Sequence, residues 1–197
     1  MRKSVILLLV LLLLPMASSS SQAKGLYIGA GVGAAMTNGI DEEDGVNVDD
    51  SGTGWEALAG YSFAGPLGAE LAYVDLGKVS AEGTGFSDHI KSHGVQFSAV
   101  ATFPPASPFA AQARFGGFAW TQKVEIGDET ETISDSENGT TMCAGLGLRY
   151  NMKSLDRLGL TAKWTRYFDV GNTSEVDQDF FALGATWSFG GNAAAAE

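Results

Sequence analysis

The sequence predicts an all-β fold, an eight-stranded antiparallel up-and-down β-barrel that spans a membrane. Three observations lead to this prediction. The first residues have the pattern of an export signal. Hydrophobic residues make up 45% of the chain, which also contains 26 glycines. After the leader, apolar residues alternate with polar ones. No stretch beyond the leader is long enough for a spanning helix. Because a bilayer core satisfies no backbone polar group, a spanning chain without helices has to close into a barrel.

The export signal occupies the N-terminus. Arg2 and Lys3 precede an apolar run over residues 5–14, and Ser21 and Ala23 place small residues at the −3 and −1 positions of a cleavage site. An uncleaved anchor helix is the alternative, but the run is short for a bilayer. We expect a signal peptide over 1–23, a barrel over 24–189 and a short tail over 190–197.

The first four predicted strands have a two-residue period, which is typical of a sheet with one apolar face. In the second of them, Trp55, Ala57 and Ala59 share one face, whereas Glu56 and Leu58 share the other. The four segments cover residues 25–36, 54–64, 67–76 and 94–103.

The last four predicted strands cover residues 109–124, 140–152, 158–170 and 180–189. In the fifth strand of the chain, Gly116 and Gly117 stand together and predict a bulge or bend. In the eighth, Phe181, Leu183 and Ala185 align on one face. An even number of strands lets the barrel close with both termini on the periplasmic side.

Short and long connections alternate, as periplasmic turns and outer loops do in membrane barrels. The short ones are 65–66, 104–108 and 153–156, and the long ones are 37–53, 77–93, 127–139 and 171–179. The first and third long loops are acidic, through Asp41, Glu42, Glu43, Asp44, Asp49 and Asp50, and through Asp128, Glu129, Glu131, Asp135 and Glu137. A net charge of −11 excludes nucleic acid as a partner. The one cysteine, Cys143, excludes an internal disulfide.

Aromatic residues gather near the predicted strand ends, which indicates the two girdles of a membrane barrel. Trp120 and Tyr167 are also expected in the girdle beside the long loops. A soluble barrel of the lipocalin type is the alternative, but it would point its large side chains inward. The candidate girdle residues are Trp55, Tyr61, Tyr73, Trp164, Trp187 and Phe189.

If the aromatic face contacts lipid, five charged side chains point into the barrel. An eight-stranded barrel is narrow enough for side chains to fill it, and charges inside must pair or stay hydrated. We therefore expect a charge network that fills the lumen. A gated, narrow ion path through the same network is the alternative. The predicted network comprises Glu56, Glu70, Arg114, Arg149 and Lys163.

Catalytic and metal sites have few candidates. His89 and His93 stand near Ser87, Asp88 and Ser92, but the members of a catalytic triad converge from separate parts of a chain. Histidines four residues apart suit a metal ion on a helix, whereas this segment runs into a strand. Solvated loop residues explain both histidines, so we expect no catalytic site, no metal site and no cofactor.

Four segments carry a family resemblance: GAELAYVDLG at 68–77, GVQFSA at 94–99, RFGGFAW at 114–120 and WSFG at 187–190. In their order and spacing, the chain resembles the transmembrane domain of outer-membrane protein A and the wider family that includes outer-membrane protein X. The resemblance implies an interior ion pair between Glu70 and Arg114, and a terminal aromatic, Phe189, read by the barrel-assembly machinery. The chain departs from the family at Val100, where a basic residue is common, and at Arg149, where an acidic one is common.

The resemblance also implies a location and a function. Larger members carry a peptidoglycan-binding domain after the barrel, and we expect this chain to lack it. We expect a structural protein of the outer membrane with acidic exposed loops, serving envelope integrity or surface interaction. Its expected partners are outer-membrane lipid, lipopolysaccharide and a host or surface ligand, and we expect a monomer. A narrow passive pore and a lipid-modifying enzyme are the alternatives.

Overall fold

The structure, a computed structural model, describes residues 25–38, 47–49, 51–63, 65–83, 86–105, 107–128, 131–152, 154–155, 157–171 and 176–189. The predicted signal peptide and tail lie outside these ranges, and so does most of the acidic first loop. Among the described residues, no helix is long and apolar enough to cross a membrane.

Nine strands make up the described fold. They are β1 (Gly25–Asn38), β2 (Asn47–Asp49), β3 (Ser51–Ser62), β4 (Leu67–Gly83), β5 (Phe86–Phe103), β6 (Phe109–Asp128), β7 (Glu131–Asn151), β8 (Leu158–Val170) and β9 (Val176–Ser188). Eight of them form the barrel. The three-residue β2 only adds to the outer end of β4, where Val48 pairs with Ala81.

The barrel closes through consecutive antiparallel pairs. The sheet runs β4-β3-β1-β9-β8-β7-β6-β5, and a further pairing between β4 and β5 joins its two ends. Every barrel strand therefore has two neighbours, which removes the free edges that an open sheet would expose. The predicted fold class, an eight-stranded antiparallel barrel, is confirmed.

The two-residue period decides which side chains enter the barrel. Along β3, exposed and buried residues alternate from end to end. Trp55, Ala57 and Ala59 face outward, and Glu56 and Leu58 face the lumen. A pleated strand sends successive side chains to opposite faces, so a single register places apolar residues outside and polar ones inside.

Two of the predicted long loops are mainly strand. β4 and β5 pair continuously outward to Gly83 and Phe86, and β6 and β7 pair outward to Asp128 and Glu131. The prediction of loops over 77–93 and 127–139 was therefore wrong, because both segments consist mainly of paired strands. Polar residues in these segments hid the strand signal, because a hairpin beyond the bilayer is wetted on both faces and needs no apolar face.

The bulge predicted at Gly116 and Gly117 is also absent. Gly116 pairs with Ser98 and Gly117 with Phe97, with no shift of register along β6. A Cβ on Gly116 would meet the backbone carbonyl of Phe97. A close approach between neighbouring strands, rather than a bend, explains this glycine.

The register instead shifts near the outer ends of β4 and β8. In β4 the shift lies between Asp75 and Lys78, around Gly77 with φ 80°. The Gly77 N–H donates a hydrogen bond of 2.9 Å to Asp75 Oδ1. In β8 the shift follows Tyr167, and Asp169 has φ 52°. Bulges increase the local twist of a strand, here where the barrel wall leaves the membrane.

Candidate functional site: the filled lumen and the outward face

A buried ion pair lies at the centre of the periplasmic half of the lumen. Arg114 on β6 donates from Nε to Glu70 Oε2 on β4 over 3.0 Å, and the two side chains are 3% and 5% exposed. Tyr27 Oη on β1 donates to the other Glu70 oxygen over 2.8 Å. Arg114 Nη2 also donates to Gln112 Oε1 over 2.7 Å. Side chains from two other strands, β1 and β6, therefore converge on the Glu70 carboxylate of β4.

A second ion pair crosses the lumen. Lys163 Nζ on β8 contacts Glu56 Oε1 on β3, and both side chains are buried. β9 and β1 separate these strands in the barrel wall, so this pair bridges strands that are not neighbours in it. Such a pair resists separation because either charge left alone in the low-dielectric interior would be costly.

Arg149 is the fifth predicted charge. It lies on β7 with Thr161 and Ala110 as its register partners, and its side chain is half-buried. Its Nε is buried without a hydrogen-bond partner among the described residues. Two carboxylates therefore face three cations in this layer. Arg149, where the chain departs from the resembled family, is one of several positions at which a buried side-chain donor has no partner among the described residues.

An aromatic layer fills the lumen on the outer side of the charges. The rings of Phe118 and Tyr167 lie 4.5 Å apart, centroid to centroid. Phe180 is fully buried, and Trp120 is 3% exposed. Tyr167 Oη donates to Gln96 Oε1 on β5 over 2.8 Å, which connects two strands across the barrel.

The sequence analysis misplaced two of these rings. Trp120 and Tyr167 were expected in the outer girdle, but both point into the lumen. Continuing the two-residue period through Gly116 would have placed Trp120 inside, on the same face as Arg114 and Phe118. The expected bulge interrupted that count.

Inward glycines make room for the rings. A Cβ on Gly94 would stand 2.8 Å from the Phe118 ring, and one on Gly139 would stand 2.5 Å from the Trp120 ring. Each glycine thus faces an aromatic residue from a neighbouring strand. Pairing a large residue with the smallest one is how a narrow barrel packs its interior.

The outward face is apolar and carries paired aromatic rings. Trp55 and Tyr73 lie 5.4 Å apart at the ring centroids, near the outer end. Tyr61 stands 5.4 Å from Phe63 near the periplasmic end. Trp187 and Phe189 are exposed at the end of the last strand. The structure leaves Trp164 partly covered, with its Nε1 donating to Asp179 Oδ1 over 2.8 Å.

The family model described as the OmpA-like transmembrane domain matches residues 21–193. The chain belongs to this family. The match covers the whole described barrel, so the architecture and the family agree. The protein is thus an OmpA-like barrel of the outer membrane.

Two relatives illustrate the extent of the likeness. Outer membrane protein A of Serratia marcescens is 28% identical over 170 residues, covering 80% of this chain and 44% of the relative. Outer membrane protein A of Yersinia pseudotuberculosis is 26% identical over 167 residues, covering 81% and 46%. The aligned part spans less than half the length of these relatives.

Two solved structures share the barrel. Ail, the attachment invasion locus protein of Yersinia pestis, superposes with a TM-score of 0.58 at 18% identity, covering 84% of this chain and 99% of Ail. OprG of Pseudomonas aeruginosa gives 0.60 at 14% identity, covering 87% and 98%. At such identities the likeness shows the fold alone.

In this OmpA-like barrel, the described histidine side chain, His93, does not converge with the neighbouring Ser92. His89 and His93 are four residues apart on β5, so their Cα atoms are about 13 Å apart. Ser92 is buried on the lumen side, next to His93 on the outward side. Among the described residues, no group of three His, Cys, Asp or Glu side chains is placed to hold a metal ion.

An ion cluster joins the outer ends of the last two strands of the OmpA-like barrel. Arg166 Nη2 on β8 donates to Asp179 Oδ2 on β9 over 2.6 Å, and Nε donates to Oδ1 over 2.9 Å. Asp177 Oδ2 stands 3.8 Å from Arg166 Nη1, and the guanidinium lies 5.9 Å from the Trp164 ring centroid. The two-bond pair fixes the register of these strands at the rim.

Proposed function

We propose that this protein is a structural barrel of the outer membrane whose lumen carries no solute. One observation carries the proposal: the lumen holds two successive side-chain layers, the ion pairs around Glu70 and Glu56 and the aromatic layer around Phe118. A conducting path would have to displace both. The narrow pore that the sequence analysis considered would open by rearranging the charged side chains alone. The aromatic layer is a further obstacle to such a path.

The charged layer has a mechanical role in this proposal. Its contacts connect β1, β3, β4, β6 and β8, so they hold the wall of the barrel at a set width. The aromatic layer adds apolar contact above it. Outward aromatics at the two ends, such as Trp55 and Trp187, would mark the membrane boundaries, where amphipathic rings are favoured.

We infer no enzymatic activity. A lipid-modifying enzyme needs a nucleophile, a base and an orienting group within hydrogen-bond reach of one another. Ser92 and His93 occupy opposite faces of β5, which prevents that convergence. Cells expressing the protein should therefore show unchanged lipid A and phospholipid by mass spectrometry, and a new deacylated species would contradict this inference.

Surface interaction is the part of the function that we assign to the hairpins. β4–β5 and β6–β7 continue outward past the exposed aromatic pair of Trp55 and Tyr73. The β6–β7 hairpin ends at two paired acidic positions, Asp128 and Glu131. Structural neighbours include a protein named for attachment and invasion. Loops on a rigid scaffold commonly carry binding function, and the paired strands supply that rigidity here.

Planar-bilayer conductance tests the closed lumen. The refolded barrel should give no discrete channel steps, and Phe118→Ala together with Tyr167→Ala should still give none while the ion pairs remain. Steps should appear only when Glu56→Ala and Glu70→Ala are added to that variant. Wild-type steps that disappear in Glu70→Ala would contradict the proposal and favour a gated pore. Each sample should also show a boiling-dependent mobility shift on a cold SDS gel. This control shows that the barrel is folded, so that an absence of steps reflects a closed lumen.

Hairpin replacement tests the surface role. A variant with short Gly-Ser turns in place of 80–89 and 125–134 should keep the gel shift, because the barrel pairs below remain. Bacteria displaying it should adhere less to epithelial monolayers than bacteria displaying the intact chain. Unchanged adherence would remove surface interaction and leave the structural role alone.

A further inference from the structure

We propose that a row of three lysines on the outer wall binds the phosphate groups of lipopolysaccharide in the outer leaflet. In the described register, Lys78 on β4 pairs with Lys91 on β5, and Lys91 pairs with Lys123 on β6. All three side chains are exposed. We call these three residues the lysine row. This proposal rests on the proposed function in one respect, that the barrel lies in the outer membrane.

The row brings like charges together. Residues directly opposite in an antiparallel pair have Cα atoms about 4.5–5.5 Å apart, and like charges in such pairs are destabilising. Lys91 has one carboxylate partner, because its Nζ stands 3.3 Å from Asp75 Oδ2. For Lys78 and Lys123, no carboxylate lies within ion-pair distance among the described side chains. An anion bridging the ammonium groups would remove the repulsion.

The overall charge makes this alignment unexpected. The chain has a net charge of −11 and only 12 lysines and arginines. Three of these occupy one register line across three adjacent strands. Phosphate is the ligand that such a line fits, because each phosphate oxygen can accept from a separate ammonium donor.

The height of the row selects the source of the phosphate. Tyr73 pairs with Val95, and both are exposed on the outward apolar face. Lys91 lies four residues outward of Val95 on β5, about 13 Å along the strand. The row therefore stands just above the apolar band, where lipid headgroups begin, and lysine stems can extend along the boundary with their charges in water. Phosphates of lipopolysaccharide occupy that layer on the outer leaflet.

Binding of lipid A tests the proposal. The refolded barrel in phosphatidylcholine nanodiscs is titrated with diphosphorylated lipid A and with its dephosphorylated form, at low salt without divalent cations. We expect tighter binding of the phosphorylated form. Each lysine near an anionic surface contributes roughly fivefold, so Lys78→Gln, Lys91→Gln and Lys123→Gln combined should cost about a hundredfold. The preference should also weaken with added salt.

Matched variants separate the row from general charge. Replacing the same three lysines by arginine should retain the preference, and Arg157→Gln, at an exposed position near the periplasmic turn, should leave it unchanged. If the triple glutamine variant loses its gel shift, Lys78→Gln alone should still lose about fivefold. This proposal can fail independently of the closed-lumen proposal, because lipid A binding tests the lysine row and planar-bilayer conductance tests the lumen.

Three outcomes would overturn the proposal. Equal affinity of the wild type for both lipids would remove phosphate recognition. Equal competition by free pyrophosphate at matched concentration would make the source a soluble phosphate rather than a lipid. Tight binding of a sulfated heparin oligosaccharide, with no preference for phosphorylated lipid A, would assign the row to a surface glycan.

Discussion

Glu70 has the most partners of any acidic side chain in the charged layer. It accepts from Tyr27 and Arg114, which reach it from strands on either side of β4 without being its neighbours in the sheet. A buried carboxylate with several donors remains ionised without solvent, because the donors replace its hydration. Removing it would leave Arg114 without its counter-charge and Tyr27 without its acceptor.

Glu70→Ala should therefore lower the free energy of unfolding by about 3–5 kcal/mol, the usual range when one partner of a buried ion pair is removed. Urea unfolding in phospholipid vesicles, followed by tryptophan fluorescence, measures the loss. The double variant Glu70→Leu with Arg114→Met should recover most of it, because no lone charge remains. Arg157→Gln, exposed at the periplasmic end, should stay within about 0.5 kcal/mol of wild type. An equal loss in the single and double variants would contradict the pairing.

At the scale of one strand, β6 shows how a local pattern was misinterpreted. Gly116 and Gly117 suggested a bulge, yet each pairs regularly with β5 and β7. The two glycines differ in what surrounds them. A Cβ on Gly116 would collide with the Phe97 carbonyl and Ser98 Cα, whereas one on Gly117 would only touch the Thr141 carbonyl at 3.7 Å.

The pair of substitutions Gly116→Ala and Gly117→Ala tests that difference with identical chemistry. Gly116→Ala should destabilise the barrel by about 1–3 kcal/mol, because backbone atoms have to move to admit the methyl group. Gly117→Ala should be neutral or stabilising by under about 1 kcal/mol, since it restricts only the unfolded chain. Urea midpoints at constant slope measure both changes. Equal effects would mean that β6 can shift as a whole.

The hairpins are the other element where sequence and structure differ. Polar residues between Gly77 and His93 look like a loop in the sequence, but β4 and β5 pair along that stretch after a single bulge. The tendency to pair comes from strands already aligned below, which bring their continuations together at little further entropic cost. A hairpin supported in this way needs no apolar residues of its own.

For the whole molecule, the arrangement is inverted relative to a soluble barrel. Large apolar residues such as Leu183, Leu146 and Phe97 face outward, and ion pairs lie within. Leu183 is 69% exposed and pairs with Val32 and Ala162. Such a surface is stable only against lipid, because the same area in water would drive aggregation.

Leu183→Arg should accordingly cost about 2–4 kcal/mol in a bilayer, as expected for a cation at mid-depth on the lipid face of a barrel. Leu183 lies between Trp187 and Phe181 on β9, away from either boundary. Asn138→Arg, exposed near the outer end of β7, should change stability by about 1 kcal/mol or less. Unfolding in vesicles measures both. A cost for Asn138→Arg as large as that for Leu183→Arg would move the membrane boundary outward.

The sequence by itself determined the eight spanning segments and, for most of them, which face is apolar, because a period of two residues survives in any register that keeps apolar groups on lipid. The export signal stays a prediction, since residues 1–23 lie outside the described residues. β8 has the bounds that the sequence predicted, Leu158 to Val170, since a short turn over 153–156 precedes it and Gly171 follows it. What the sequence could not supply was the pairing of strands that are distant along the chain.

The tertiary structure alone decided which side chains meet across the lumen. Contacts such as Lys163 with Glu56, or Tyr167 with Gln96, depend on the stagger of strands that are not adjacent. Alternation says only that a residue points inward, and the height at which it does so follows from barrel closure and strand tilt. The same closure aligned Lys78, Lys91 and Lys123 in one row, because register, rather than sequence spacing, sets which residues stand side by side.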